Sequence, residues 1–201
     1  MGWSYDDRTE FFTMKDLIEK FNIDRLTPSP AAINFSKLDH FNGLQIRNLD
    51  SLDLAGRLKP FFEAASISVD EKTLFKVTPL IQERITTLDE APAIAGFFFR
   101  DQITLQAEEL VGKNMTRDQS LKALLRSHQV LLTISQFDLQ TMELQMRQLA
   151  GELNLKPGQL FEVLRMAIIG QRVSPPLFES IEIIGKEKVL GRIQNAINLL
   201  Q

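Results

Sequence analysis

The stretch from Lys156 to Arg192, KPGQLFEVLRMAIIGQRVSPPLFESIEIIGKEKVLGR, leaves few folds open to this chain. Pro157-Gly158 opens it with a turn, and Leu160, Phe161, Leu164 and Met166 to Ile169 then recur at helical spacing. Gly170 interrupts that run. Ser174-Pro175-Pro176 turns the chain, because proline fixes φ and has no N–H to donate, so two in succession cannot sit inside a helix. Leu177, Phe178, Ile181 and Ile184 re-enter a helix, Gly185 interrupts it, and a last helix begins. Periodicity alone therefore specifies a helical hairpin with a double-proline corner.

The rest of the chain reads as helical too. Thr13 suits the N-cap of MKDLIEKF, with Asp16 at the capping-box position and Leu17, Ile18 and Phe21 on one face. Pro28 and Pro30 force an extended link, after which Ser36 is a candidate cap for a helix carrying Leu38, Phe41 and Ile46. Ser51 caps the next helix, whose apolar side is Leu54, Leu58, Phe61 and Phe62, and Asp70 caps another running from Leu74 to Leu88. Thr116 opens a long helix with Leu121, Leu124, Leu125, Val130, Leu131 and Ile134 inward. A further helix spans about Asp138 to Leu153 and shows Leu139, Met142, Leu144, Met146 and Leu149; the two methionines read as core filling. Phe97-Phe98-Phe99 beside Gly96 reads as core and seam, because aromatics that stack on bases need exposure. The only β-like fragment is SISV at residues 66–69, and a loop fits it equally well.

A chain of 201 residues fits one large domain or two small ones and can bury a sizeable core. Its 44% hydrophobic and 24% charged residues are those of a soluble globular protein. No apolar run approaches the ~20 residues of a membrane span, and the acidic start lacks the apolar core of a signal peptide. Without cysteine there is no disulfide framework, thiolate metal site or thiol nucleophile. A cytoplasmic monomer with no membrane or DNA partner is expected. The net charge of −3 opposes a generic nucleic-acid binder, yet from Lys156 onward six basic residues face four acidic ones.

No catalytic constellation is present in the sequence. His40 and His128 lie far apart, without metal-ligand spacing, and there is no nucleophile elbow or Gly-rich phosphate loop. Glu108, Glu109 and Glu187 read as helix-surface charges.

The stretch from Lys156 resembles the C-terminal end of bacterial glutamyl-tRNA synthetases, where K-x-G-Q, P-L-R-x-A-x-T-G, P-x-L-F-E and L-G-K-E-x-x-x-x-R form the last anticodon-binding bundle. A second match lies upstream: SPAAINFSKLDHFNGLQIR is similar to the family's stem-contact signature through Asn34, Lys37, Leu38, Asn42, Gly43, Ile46 and Arg47. The resemblance spans essentially the whole chain, most loosely between residues 103 and 154. It implies an all-α fold: a helical stem-contact segment (1–65), then two α-helical anticodon-binding bundles (66–115 and 116–201). It also implies that the class I catalytic fold, with its H-I-G-H and K-M-S-K-S motifs and its ATP and magnesium, precedes residue 1. Trp3, with no earlier element to bury it, fits a chain cut there. On that reading the chain holds no catalytic residue and no cofactor of its own, and its partners are tRNA(Glu) and the catalytic domain of the same parent chain.

The resemblance also assigns residues. Lys37 and Arg47 become phosphate contacts, which position without reading sequence; the alternative is a solvated helix face. Arg84, Thr87, Leu88 and Glu90 match a family stretch in which the arginine is associated with the third anticodon base. The chemistry is reasonable. An unpaired cytosine edge offers two acceptors to a guanidinium that only donates, whereas guanine presents donors, a mismatch of ~1–3 kcal/mol. Arg147 aligns with a basic position near the anticodon. Arg165 matches the arginine of P-L-R, with a salt bridge to Glu162 or Glu179 as its alternative role. Ser174, Pro175 and Leu177 fall at the corner that approaches the bases, where freed backbone groups can come close. Two departures bear on that corner: EVLR replaces a proline-preceded P-L-R, and Pro176 stands where glycine is frequent. The rival from another class is a helical protein–protein interaction module whose apolar faces seat partner helices. That module would bind its partner regardless of salt and would have no RNA affinity.

Overall fold

The computed structural model describes residues 2–9, 11–28 and 34–201, and the link expected at Pro30 lies outside them. Among the described residues there are ten α-helices and no strand. They are α1 (Met14–Lys20), α2 (Phe35–Asn48), α3 (Ser51–Ala64), α4 (Glu71–Gln82), α5 (Ala91–Ala95), α6 (Arg117–Thr133), α7 (Leu139–Glu152), α8 (Pro157–Ile169), α9 (Leu177–Ile184) and α10 (Lys186–Leu200). Short 3-10 turns at Leu88–Glu90, Gly96–Phe99 and Ala107–Leu110 join them. The expected all-α class holds. Among the described residues no helix is long and apolar enough to cross a membrane.

Three expected N-caps, at Thr13, Thr116 and Asp70, are in place, and Asp138 caps the helix expected to start there. Thr13 and Asp16 exchange hydrogen bonds as a capping box, Thr116 does the same with Gln119, Asp70 accepts from the Thr73 N–H at 2.8 Å, and Asp138 accepts from the Thr141 N–H at 3.0 Å. Two caps lie earlier than expected. Asn34, not Ser36, caps α2 by accepting from the Lys37 N–H at 3.1 Å. Asp50, not Ser51, caps α3, its carboxylate accepting from the N–H groups of Leu52 and Asp53. In both places a longer carbonyl-bearing side chain stands just ahead of the serine and reaches the free N–H groups first.

Residues 66–69 form the turn that ends α3, not a strand. Ser66 has φ of 58°, and the Ile67 N–H returns to the Phe62 carbonyl at 2.9 Å, which closes the helix in a left-handed C-cap. Asn154 ends α7 in the same way, at φ of 55°.

The buried apolar side chains form one continuous cluster from Ile46 to Leu200. α10 crosses α6, α8 and α9, α3 lies on α4 and α5, and α4 reaches α9. The expected boundaries after residues 65 and 115 both fall inside this cluster, with α3 against α4 across the first and the 107–110 turn against α8 and α10 across the second. Phe97 and Phe98 are buried, and Phe99 meets Phe62 edge-on at 5.2 Å, so the triple phenylalanine is core and seam as expected. Met142 and Met146 are wholly buried. Leu38, Leu125 and Leu144, expected on inner faces, are exposed.

Among the buried residues is a charge. Arg192 of α10 is 1% exposed, and its guanidinium donates to the carbonyls of Ile168 and Phe97, each at 2.7 Å, and to that of Arg100. Burial pushes its pKa down to about 10, against the pull of Asp101, so it remains a cation at neutral pH.

The Asp70 carboxyl titrates below the ordinary carboxylate range, chiefly because it accepts the Thr73 N–H. A depressed folded pKa contributes stability above the unfolded value of 3.8 that disappears as pH falls through the folded one. Asp70→Ala is expected to lower stability by ~1 kcal/mol at pH 7, with the gap from wild type closing in that acid window. Asp70→Asn should keep the cap across it. Urea unfolding of the three proteins across that pH range checks both statements.

Candidate nucleic-acid interface

The end of α4 is pinned to the end of α2 by one side chain. Gln82 is 8% exposed, and its amide N–H groups donate to the carbonyls of Ile46 at 3.0 Å, Arg47 at 3.3 Å and Leu49 at 2.8 Å. Its amide oxygen accepts from the Ser51 hydroxyl at 3.1 Å. These carbonyls belong to the last turn of the helix and its C-cap, where intrahelical donors run out; that of Ile46 also accepts from the Leu49 N–H at 3.2 Å. A polar residue on the buried face of α4, beside Thr78 and Ile81, was the only sequence sign of this role.

Two residues further on is Arg84. The chain there is held on its far side by Ile85, wholly buried, and by Thr86, whose polar groups all have partners. The Thr86 N–H and hydroxyl donate to the two Glu90 carboxylate oxygens at 2.7 and 2.9 Å, and its carbonyl accepts from the Asn42 amide of α2 at 2.5 Å. The Arg84 side chain is exposed and has no hydrogen bond or carboxylate partner among the described residues.

Facing it is the corner between α8 and α9. Gly170 takes the left-handed φ of 76° that ends α8, a conformation costly for any residue with a Cβ. Arg165, half-buried on α8, donates through Nη1 to the Ser174 hydroxyl and, at 3.0 Å, to the Pro175 carbonyl; the Ser174 hydroxyl in turn donates to that carbonyl at 2.9 Å. Neither Glu162 nor Glu179 pairs with Arg165, so the salt-bridge alternative does not hold. Pro176 sits at φ of −53°, within proline's own range, so the corner has no need of glycine there.

Arg84 and Arg165 are close enough to feel each other. Burial, and after it the charge of Arg84, hold the Arg165 pKa below the ordinary arginine range. Two neighbouring cations with no carboxylate between them leave their attraction for an anion or an acceptor-rich base edge unspent.

The other expected residues lie around this pair. Arg147 of α7 is over the Phe161 ring, 5.4 Å from its centroid, one turn before Arg165 on α8, and Glu143 takes up much of its charge at 2.5 Å. Arg47 ends α2, half-buried, with its guanidinium folded back toward Gly43. Lys37 is at the opposite end of α2, its ammonium 5.8 Å from the centre of the Phe41 ring. Ser174, Pro175 and Leu177 are buried, Leu177 at 5%. The first two lock Arg165 and the third anchors α9, while the side chains that the corner turns outward are Arg172 and Val173, the latter 84% exposed.

The class of protein is identified by comparison with known families. The family model described as anticodon binding domain matches residues 53–197, and the chain belongs to that family. It is 45% identical over 202 residues to a glutamate–tRNA ligase of Dehalococcoides mccartyi, covering 98% of this chain and 42% of that protein. It is 39% identical over 205 residues to the glutamate–tRNA ligase of Roseiflexus castenholzii, with 99% and 40% covered. The resemblance read from the motifs is thus shown. The crystal structure of a glutamate tRNA ligase from Elizabethkingia meningosepticum has the same fold over the whole chain, with a TM-score of 0.85 at 21% identity over 39% of its own length. The chain spans about two-fifths of the length of these relatives.

Gln82→Leu leaves the α2 carbonyls without their shared donor. It is expected to reduce stability by ~1–3 kcal/mol, measured by chemical denaturation, and a loss below ~0.5 kcal/mol would mean that water serves those carbonyls equally well.

Proposed function

We propose that this chain is the tRNA-binding part of a glutamate–tRNA ligase. It grips the anticodon loop and the inner side of tRNA(Glu), so that the acceptor end reaches the catalytic domain of the same parent chain. The observation that carries this reading is the Arg84–Arg165 pair, two adjoining guanidinium groups without a carboxylate, on a chain of the anticodon-binding family. Arg84 reads the third anticodon base: its donors match the acceptors of cytosine and meet the donors of guanine. Arg165 is held in place by Ser174 and Pro175, and so presents its remaining N–H groups in a fixed direction. Lys37 and Arg47 neutralise phosphates along the stem. ATP and magnesium belong to the part of the ligase outside this chain, and the protein works as a cytoplasmic monomer. Family membership favours RNA over the partner helices of the protein-interaction alternative.

The test is a titration of the chain with tRNA(Glu) at two salt concentrations, beside a copy whose third anticodon base is changed from C to G. Binding should weaken with salt and be about tenfold weaker for the G copy, the lower part of the range for a bidentate base contact. Arg84→Gln should erase the difference between the copies. Lys37→Ala and Arg47→Ala should each weaken both copies alike and make the salt dependence shallower by about one phosphate contact. Salt-independent binding, or none, would contradict the proposal.

A further inference from the structure

We infer that Asn42 is a specificity-positioning residue: from α2 it fixes the segment that carries Arg84, and so sets how well the third anticodon base is discriminated. The inference rests on the proposed role of Arg84 and extends it to a residue of α2.

Arg84 has no partner of its own among the described residues, so its guanidinium is placed by the backbone on either side. On the near side Gln82 is fixed by its hydrogen bonds to α2, and the Arg84 N–H closes onto the Ile81 carbonyl at 2.8 Å. On the far side the segment is anchored by buried Ile85, by the polar contacts of Thr86 and by the Leu88–Glu90 turn, which packs on α3 and α5. Glu90 takes two of the Thr86 contacts from four residues away, within the turn that packs on α3 and α5. The Asn42 amide takes the third and supplies the tie to α2, across 44 residues of sequence. The Thr86 carbonyl only accepts, so Asn42 must turn its NH₂ toward it.

Asn42 is exposed and Thr86 half-buried, so water can replace the bond when the side chain is removed. Loss of the contact therefore acts less on folding than on where the Arg84 segment sits. Base readout is sensitive to that placement, because a guanidinium that misses its acceptors loses a directional contact, whereas a phosphate contact tolerates displacement. The same helix carries Lys37 and Arg47, so one rigid element sets both the grip on the stem and the register of the reading residue.

The experiment measures the affinity of wild type, Asn42→Ala, Asn42→Asp and Arg84→Gln for tRNA(Glu) and its C-to-G copy at one salt concentration. Hydrogen exchange of the Ile85 and Thr87 amides is followed in the free proteins. Asn42→Ala should reduce the ratio of the two affinities by about threefold, with the melting temperature nearly unchanged and faster exchange at those amides. Asn42→Asp should reduce the ratio further, because a carboxylate then opposes the Thr86 carbonyl. Asn42→Gln, which keeps the donor, should recover part of the loss. If Arg84→Gln erases the ratio while Asn42→Ala and Asn42→Asp keep the wild-type value, this inference falls and the role of Arg84 stands. If wild type shows no ratio, the role of Arg84 falls and takes this inference with it.

Discussion

The guanidinium of Arg192 is the constraint on which the rest of this structure depends. It is a buried cation bonded only to main-chain carbonyls, drawn from the end of α8, the 3-10 turn after α5 and the segment beyond it. Three pieces of chain distant in sequence are thereby joined to the last helix. Carbonyls in such places would otherwise be buried acceptors without donors, each a penalty of ~1–3 kcal/mol. The planar fork of arginine can serve three of them at once, which a lysine ammonium matches poorly. The protein accepts the desolvation of a charge, seen in the lowered pKa, in return for donors to three main-chain carbonyls at the seam.

The proposed interface follows from that seam. Arg192 holds Ile168 at the end of α8, just ahead of Gly170, where the corner starts. The same helix carries Arg165, and the corner folds back so that Ser174 and Pro175 bond it. α4 lies against α9 and ends at Gln82, which ties it to α2. Arg84 and Arg165 therefore lie near enough for their charges to interact, because two helix ends are each fixed by a buried polar side chain. Neither depends on a surface salt bridge, a type of contact worth little on its own.

Local features of this architecture were legible in the sequence. Thr13, Asp70 and Thr116 announce their helices because a cap is a contact between residues two or three apart. Pro175-Pro176 and Gly170 announce the corner because their backbone preferences are intrinsic. The caps at Asn34 and Asp50 were placed late because a serine just downstream offers the same chemistry, and only the backbone path decides which side chain reaches the free N–H groups. Long-range polar contacts were not legible. Gln82 meets α2 across more than 30 residues, Arg192 meets Phe97 across 95, and Asn42 meets Thr86 across 44. For Gln82 the one available sign was a polar residue on the apolar face of a helix; Arg192, between buried Val189 and Ile193, also ends the L-G-K-E-x-x-x-x-R motif, which marks the residue and not its partners. The motif resemblance marked Arg165, Ser174 and Pro175 together, but only the structure shows that they bond one another.

The central claim, that tRNA meets this protein at the Arg84 segment and the α8–α9 corner, is tested most directly by amide hydrogen exchange of the chain with and without tRNA(Glu). The account predicts slower exchange on adding tRNA for residues 83–87 and 171–174, with lesser protection along α2 and none on the exposed face of α10. Protection confined to α1, α6 or the outer face of α10, with both segments unchanged, would contradict it.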